Sequence, residues 1–356
     1  MIYRLPEHIN KDTFFNKILP DLTQQYRTIK KGDKAAVSFV EIKNINSNVL
    51  PLLAGMLNLL QYKSKNSVFV ELAYYPRLLA FLKIVGFFDV LSEYDIIEYD
   101  EGYLEGLGNY NYNKENKMWT YLPIPYFEEK NEEEKRNIRD SLAEKVRGEL
   151  CCKDFFKKKT SPIDGDELWN TTLTASTELI VNAKIYSGSI SYSYMQLGMR
   201  FSKNRKGYIF SIVDIGKGYY KSLGDKIEKG GAYTEQAREY FYRYAENLGI
   251  DVVKEINFLS IMEALYYSQT ISREMNLYKL KNLLAESNAN FRIHQKNREV
   301  AFTSAYCSKC LDRDILCCLE CVWKRKNSDK SPYKAYPIAM AGIHIEIEFV
   351  QEKKYV

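Results

Sequence analysis

Residues 177–188, "TELIVNAKIYSG", decide how the chain is read. Leu179, Ile180, Val181, Ala183 and Ile185 recur at helical spacing. Glu178 and Asn182 stand four apart and share one face of that helix. The pair alone fits a solvated stripe as well as anything else. Apolar residues flank it on several sides, however, which points to an enclosed setting. A carboxylate and an amide one turn apart can divide labour at a triphosphate: one polarises a water as general base, and the other holds a hard cation through its oxygen.

Further on, residues 208–220, "YIFSIVDIGKGYY", form an apolar strand that delivers Asp214 and then Gly216 and Gly218. Glycines let a backbone turn and approach a ligand with no Cβ in the way, and a carboxylate before them can accept a hydrogen bond from the exocyclic amine of a purine. Taken singly, D-x-G-x-G also describes a turn with a capping aspartate.

Together, E-x-x-x-N-A on a helix followed by D-x-G-x-G after a strand resembles the GHKL, or Bergerat-fold, ATPases, which include gyrase B subunits, heat-shock protein 90, histidine kinases, MutL and the anti-sigma-factor kinases. The resemblance spans roughly residues 130 to 350. It implies that Glu178 activates the attacking water, Asn182 binds Mg²⁺, Asp214 contacts the adenine amine, and Gly216 and Gly218 shape the adenine pocket. Residues 219–254 take the place of that family's ATP lid. Gly230 and Gly231 would suit its hinge, and Lys226 or Lys229 would meet phosphate; an ordinary surface excursion is the alternative. The chain departs from the family's S-x-x-G-x-G-L, having "SREMNLYKLKNLL" at 272–284, with Glu274 and Asn276 in place of glycines. Those glycines would leave N–H groups free to cradle phosphate at a helix N-terminus. "KIYSG" replaces the usual His or Asp after the Asn-Ala pair.

At 356 residues the chain exceeds what one core usually spans, so two domains are expected. From about residue 37 a strand-like "AAVSFVEI", a helical "NVLPLLAGMLNLLQYK", a strand-like "NSVFVEL" and a helical "YPRLLAFLKIVGFFDVL" succeed one another, the signature of a small α/β unit with parallel strands. This unit, residues 1–125, resembles the STAS-like domains found ahead of such ATPase modules in bacterial proteins, which implies regulation or partner binding. Residues 126–356 are expected to form an α+β sandwich, with helices on one face of a mixed, mostly antiparallel sheet. The helix-favouring run "NEEEKRNIRDSLAEKVRGELCC", acidic early and basic later, opens this domain, and further helices fall around 166–187, 255–268 and 275–286. Its strands are "GSISYSYMQLG", "GYIFSIVDIG", "NFRIHQKN", "REVAFTSAY" and "AGIHIEIEFV".

All seven cysteines lie beyond residue 150. Within an insert at 306–336, Cys307 with Cys310 and Cys318 with Cys321 form two C-x-x-C pairs, each expected in a tight turn that presents two thiolates to one structural Zn²⁺. Cys317 is a spare. Trp323 then stands beside Lys324, Arg325 and Lys326, an arrangement that suits nucleic acid or simply a solvated charge run. The net charge of +5 does not by itself announce nucleic-acid binding. No apolar run is long enough to cross a bilayer, and the start lacks a signal-peptide pattern, so a cytoplasmic protein is expected. The expected function is an ATP-binding, Mg²⁺-dependent ATP-hydrolysing switch with a protein partner for the N-terminal domain, and a homodimer is compatible with it. The alternatives are an anti-sigma-type protein serine kinase, or a degenerate nucleotide-binding scaffold or zinc-dependent nucleic-acid adaptor.

Overall fold

The computed structural model describes residues 2–105, 107, 117–152, 165–202, 205–230, 232–270, 275–287, 289–303 and 314–352. The N-terminal strands are short: β1 (Ile2–Arg4), β2 (His8–Ile9), β3 (Ala36–Ser38), β4 (Asn44–Ile45), β5 (Val68–Glu71) and β6 (Ile97–Glu98). β1, β3, β5 and β6 form a wholly parallel sheet in that order, and β2 pairs with β4. Parallel neighbours need crossover connections. These are α1 (Lys11–Thr13) running through a π-helical turn into α2 (Leu19–Thr28), then α3 (Leu50–Ser64), then α4 (Pro76–Ile84) and α5 (Phe87–Ser92). The single helix expected over "YPRLLAFLKIVGFFDVL" is thus two, divided at Gly86, whose φ is +79°.

The second sheet has five strands in the order β10-β11-β9-β8-β7: β7 (Lys117–Tyr121), β8 (Ser191–Ser202), β9 (Arg205–Asp214), β10 (Asn290–Thr303) and β11 (Tyr333–Glu352). Every pairing in it is antiparallel, rather than mixed. The runs "NFRIHQKN" and "REVAFTSAY" contribute to one strand, β10, which is irregular at Lys296, where φ is +53°. β7 lies inside the first expected domain, yet it is the edge strand of the second sheet.

The helices of this half are α6 (Glu132–Cys152), α7 (Gly165–Tyr186), α8 (Gly218–Glu228), α9 (Glu235–Asn247), α10 (Ile256–Thr270), α11 (Leu277–Glu286) and α12 (Ile315–Lys324). Strand side chains alternate between faces, and here the two faces serve two cores. Phe210 and Ile212 of β9 and Ile345, Ile347 and Phe349 of β11 pack with the helices of their own half. Tyr192 and Tyr194 of β8, Val213 of β9 and Met340 of β11 pack with the N-terminal unit. The element that joins the units is α3. Leu50, Leu52, Leu53, Ala54, Met56, Leu57 and Leu60 bury it on every side, as expected of a helix apolar all round. It contacts β5 of one sheet and β8 and β9 of the other.

A polar seam runs beside that contact. Lys11 Nζ lies 2.9 Å from Glu346 Oε2 and 3.0 Å from Glu299 Oε2. Asn48 Nδ2 donates to Glu346 Oε1 at 2.9 Å, and Ser211 Oγ donates to the Asn48 carbonyl at 3.0 Å. Burial disfavours the Lys11 ammonium, but Glu346 and Glu299 hold its pKa above the ordinary lysine value. No described helix is long and apolar enough to cross a membrane.

Candidate functional site

On α7, Glu178, Asn182 and Tyr186 fall at i, i+4 and i+8. With Leu179 and Ala183 they form the stripe that lines a pocket of about 110 Å³. Leu173, Ile180, Val181 and Ile185 of the same helix are buried in the core. Ser176 Oγ, 2.7 Å from the Tyr208 hydroxyl, fixes the helix on β9. The polar pair is therefore enclosed and not a solvated stripe.

β9 ends at Asp214 on the same pocket, 7% exposed. Its Oδ1 accepts the Gly216 N–H at 2.9 Å. Burial pushes its carboxyl up to about 7, against the lowering effect of hydrogen bonds from the Gly216 and Ile343 backbones. Two close backbone approaches hold it there. A Cβ on Gly216 would stand 2.0 Å from the Ser187 carbonyl oxygen at the end of α7, and one on Gly342 would stand 1.9 Å from the Asp214 carbonyl oxygen. Gly216 thus clamps the loop after β9 onto α7 and does not line the cavity. Gly218 does line it and opens α8, whose Tyr219 N–H donates to Gln295 Oε1 at 2.7 Å.

The far wall carries Asn276 and Leu277 at the N-terminus of α11. Asn276 is extended, with φ −157°, and its Oδ1 accepts the Lys279 N–H at 3.0 Å. A capping asparagine is thus tolerated where the resemblance expects glycine. Glu274 lies outside the described residues. Lys226 of α8 also lines the pocket, its Nζ 4.3 Å from the Tyr186 ring centroid and 4.6 Å from that of Tyr267.

Other expected residues stand elsewhere. Lys229 turns to Glu128, Nζ to Oε2 2.5 Å, with its side chain 55% exposed, and does not line the pocket. Gly230, φ +69°, follows the last residues of α8 and is likewise outside the lining; Gly231 lies outside the described residues. The expected lid is largely two helices. The second, α9, packs Phe241 and Ala245 into the core, and its Tyr242 hydroxyl donates to the buried Glu263 of α10 at 2.7 Å. The Cys318–Cys321 pair sits one turn apart on α12, not in a tight turn, with Cys318 buried and 3.8 Å from Lys281 Nζ. Cys307 and Cys310 lie outside the described residues, and among those described no group of three or more His, Cys, Asp or Glu side chains is placed to hold a metal. Trp323 stacks on Phe258 at 5.9 Å between centroids, with Lys326 Nζ over its ring at 3.1 Å. That face is already covered and does not stand open to a base.

Sequence reasoning missed one pocket-lining side chain altogether. Arg139 of α6, 8% exposed, reaches into the pocket and donates to the Glu178 carboxylate and to Asn182 Oδ1. Asn182 Nδ2 in turn donates to Glu178 Oε1 at 3.1 Å. In the charged run "EEEKRNIRDSLAEK" nothing marks Arg139 apart from its neighbours.

As a donor set, the Asn182 amide oxygen and the Glu178 carboxylate are hard oxygens of the kind Mg²⁺ takes. The apolar wall of Leu179, Ile212, Leu223 and Ile343 suits a planar ring ending at Asp214. No family model matches the chain, and no curated protein or solved structure matches it significantly.

Proposed function

We propose that this pocket binds ATP and that the chain is a nucleotide-operated switch of the GHKL type that hydrolyses it. The observation that carries the reading is a convergence. Glu178 and Asn182 from α7, Asp214 from β9 and the N-terminus of α11 come from three separate segments and line one pocket.

In this reading Asp214 recognises the base. Gly216 occupies Oδ1, and Oδ2 accepts from the adenine amino group. The α11 N-terminus and Lys226 favour the phosphates, through oriented N–H groups and positive charge. Asn182 Oδ1 is the hard oxygen for Mg²⁺, which when bound supplies neutralisation of phosphate charge. Glu178 takes the proton of the attacking water, so that most of the catalysis is positioning. The N-terminal unit is the STAS-like regulatory module. Because α3 packs on β8 and β9, a change at the end of β9 is transmitted to it through a contiguous core.

The test is a melting curve of the full chain with and without Mg²⁺ and ATP. ATP raises the melting temperature of the wild type and leaves that of Asp214→Ala unchanged. A wild type that does not respond to ATP overturns the reading.

A further inference from the structure

The roles above leave Arg139 unassigned, although it makes the most direct contacts with the polar end of the pocket. Nη1 and Nη2 both lie 3.2 Å from Asn182 Oδ1, and Nη2 also pairs with the Glu178 carboxylate. One guanidinium therefore engages the two groups that the proposed function gives to the general base and to Mg²⁺. A buried carboxylate is costly without a cation, and Arg139 supplies one from within the chain. Its planar fork fits two acceptors at once, as a lysine ammonium does not. With its Oε1 receiving both the guanidinium and the Asn182 amide, the Glu178 carboxylate is a weaker acceptor for a proton from water. A divalent cation brought to Asn182 Oδ1 would meet a like charge at hydrogen-bond distance, in a site where repulsion is weakly screened.

We propose that Arg139 is a positioning residue that stands in for the metal cation. It holds Glu178 and Asn182 in register and inactive without nucleotide, and releases them when a Mg²⁺-nucleotide offers its phosphates as new partners. The proposal rests on the reading of this pocket as a Mg²⁺-nucleotide site. It adds that the resting site is closed to the metal by the chain's own charge, and that opening it requires α6 to give up its hold on α7.

The decisive experiment uses the full chain with no nucleotide, so that its outcome is separate from ATP binding. Wild-type protein shows no rise in melting temperature with about 10 mM Mg²⁺. Arg139→Met melts lower without metal and gains about 3–5 °C on adding Mg²⁺, because the carboxylate and amide oxygens that Arg139 engages take the metal in place of the guanidinium. Arg139→Lys, which keeps the charge, restores the insensitivity to Mg²⁺. An Arg139→Met protein that does not respond to Mg²⁺, or a wild type that responds equally, overturns the proposal. Should Arg139→Met fail to fold, hydrogen exchange on wild-type protein decides. Mg²⁺ with ATP speeds exchange along residues 132–150 if Arg139 leaves Glu178, and unchanged or slower exchange there overturns the proposal.

Discussion

Two buried polar clusters lie on opposite faces of the antiparallel sheet, and they differ in what stands beside them. On one face Arg139, Glu178, Asn182 and Asp214 border a cavity. On the other, Lys11, Glu299 and Glu346, with Asn48, His344 and Ser211, are sealed between the sheet and the N-terminal unit. Each holds buried carboxylate against a cation from a distant segment: Glu178 against Arg139, and Glu299 and Glu346 against Lys11. The sealed cluster can only hold the two units in register. The cluster beside the cavity has room for a ligand to exchange partners with it, and that is why the proposed function is placed there.

The comparison is broken most severely at Glu178. Glu178→Gln keeps a shape and an acceptor for Arg139 but no base, so hydrolysis falls by about 10²–10⁴-fold while the ATP-induced rise in melting temperature remains. Single-turnover phosphate release with parallel melting curves reads both. On the sealed face, Lys11→Met removes the ammonium shared by the buried Glu299 and Glu346 and leaves Glu346 with Arg292, 3.6 Å away. It costs about 3–5 kcal/mol of stability in denaturant unfolding, with ATP affinity per folded molecule unchanged. If Lys11→Met instead abolished ATP binding in folded protein, the division of labour between the faces would be wrong.

A finer test is pH. The folded-state pKa of Asp214 is raised from 3.8 to about 7, so the nucleotide-free protein favours the protonated form and loses this stabilisation as pH rises between those values. Adenine's amine needs the ionised form. ATP affinity should therefore fall by up to about tenfold per pH unit below 7, and isothermal titration across pH should show this slope vanish in Asp214→Asn. The smallest effect expected concerns the insert: protein purified without added zinc should carry the metal, and less than about half an equivalent would count against the four-cysteine site.

Part of this was legible. α7, β8, β9, α10 and α11 lie close to their expected positions, because long amphipathic or apolar runs carry their period in the sequence. Glu178, Asn182, Asp214 and Gly218 line one pocket, as the resemblance implied. The three-residue strand β1 and the edge strand β7 are too short or too polar to carry a period, whereas β3 falls within the strand-like "AAVSFVEI". Lys229 is expected at phosphate from its place in the lid that the resemblance implies, and neither that place nor its charge says where the side chain turns, which is to Glu128.

The sequence by itself determined the helix, the strand and the chemistry-bearing residues on them, since these depend on local periodicity and residue type. Only the tertiary structure decided that α3 serves both sheets, that Gly216 and Gly342 are backbone contacts around Asp214, and that Arg139 lies against Glu178. Each of those facts depends on which distant segments share a small buried volume, and that is set by packing and by the need of buried charges for partners.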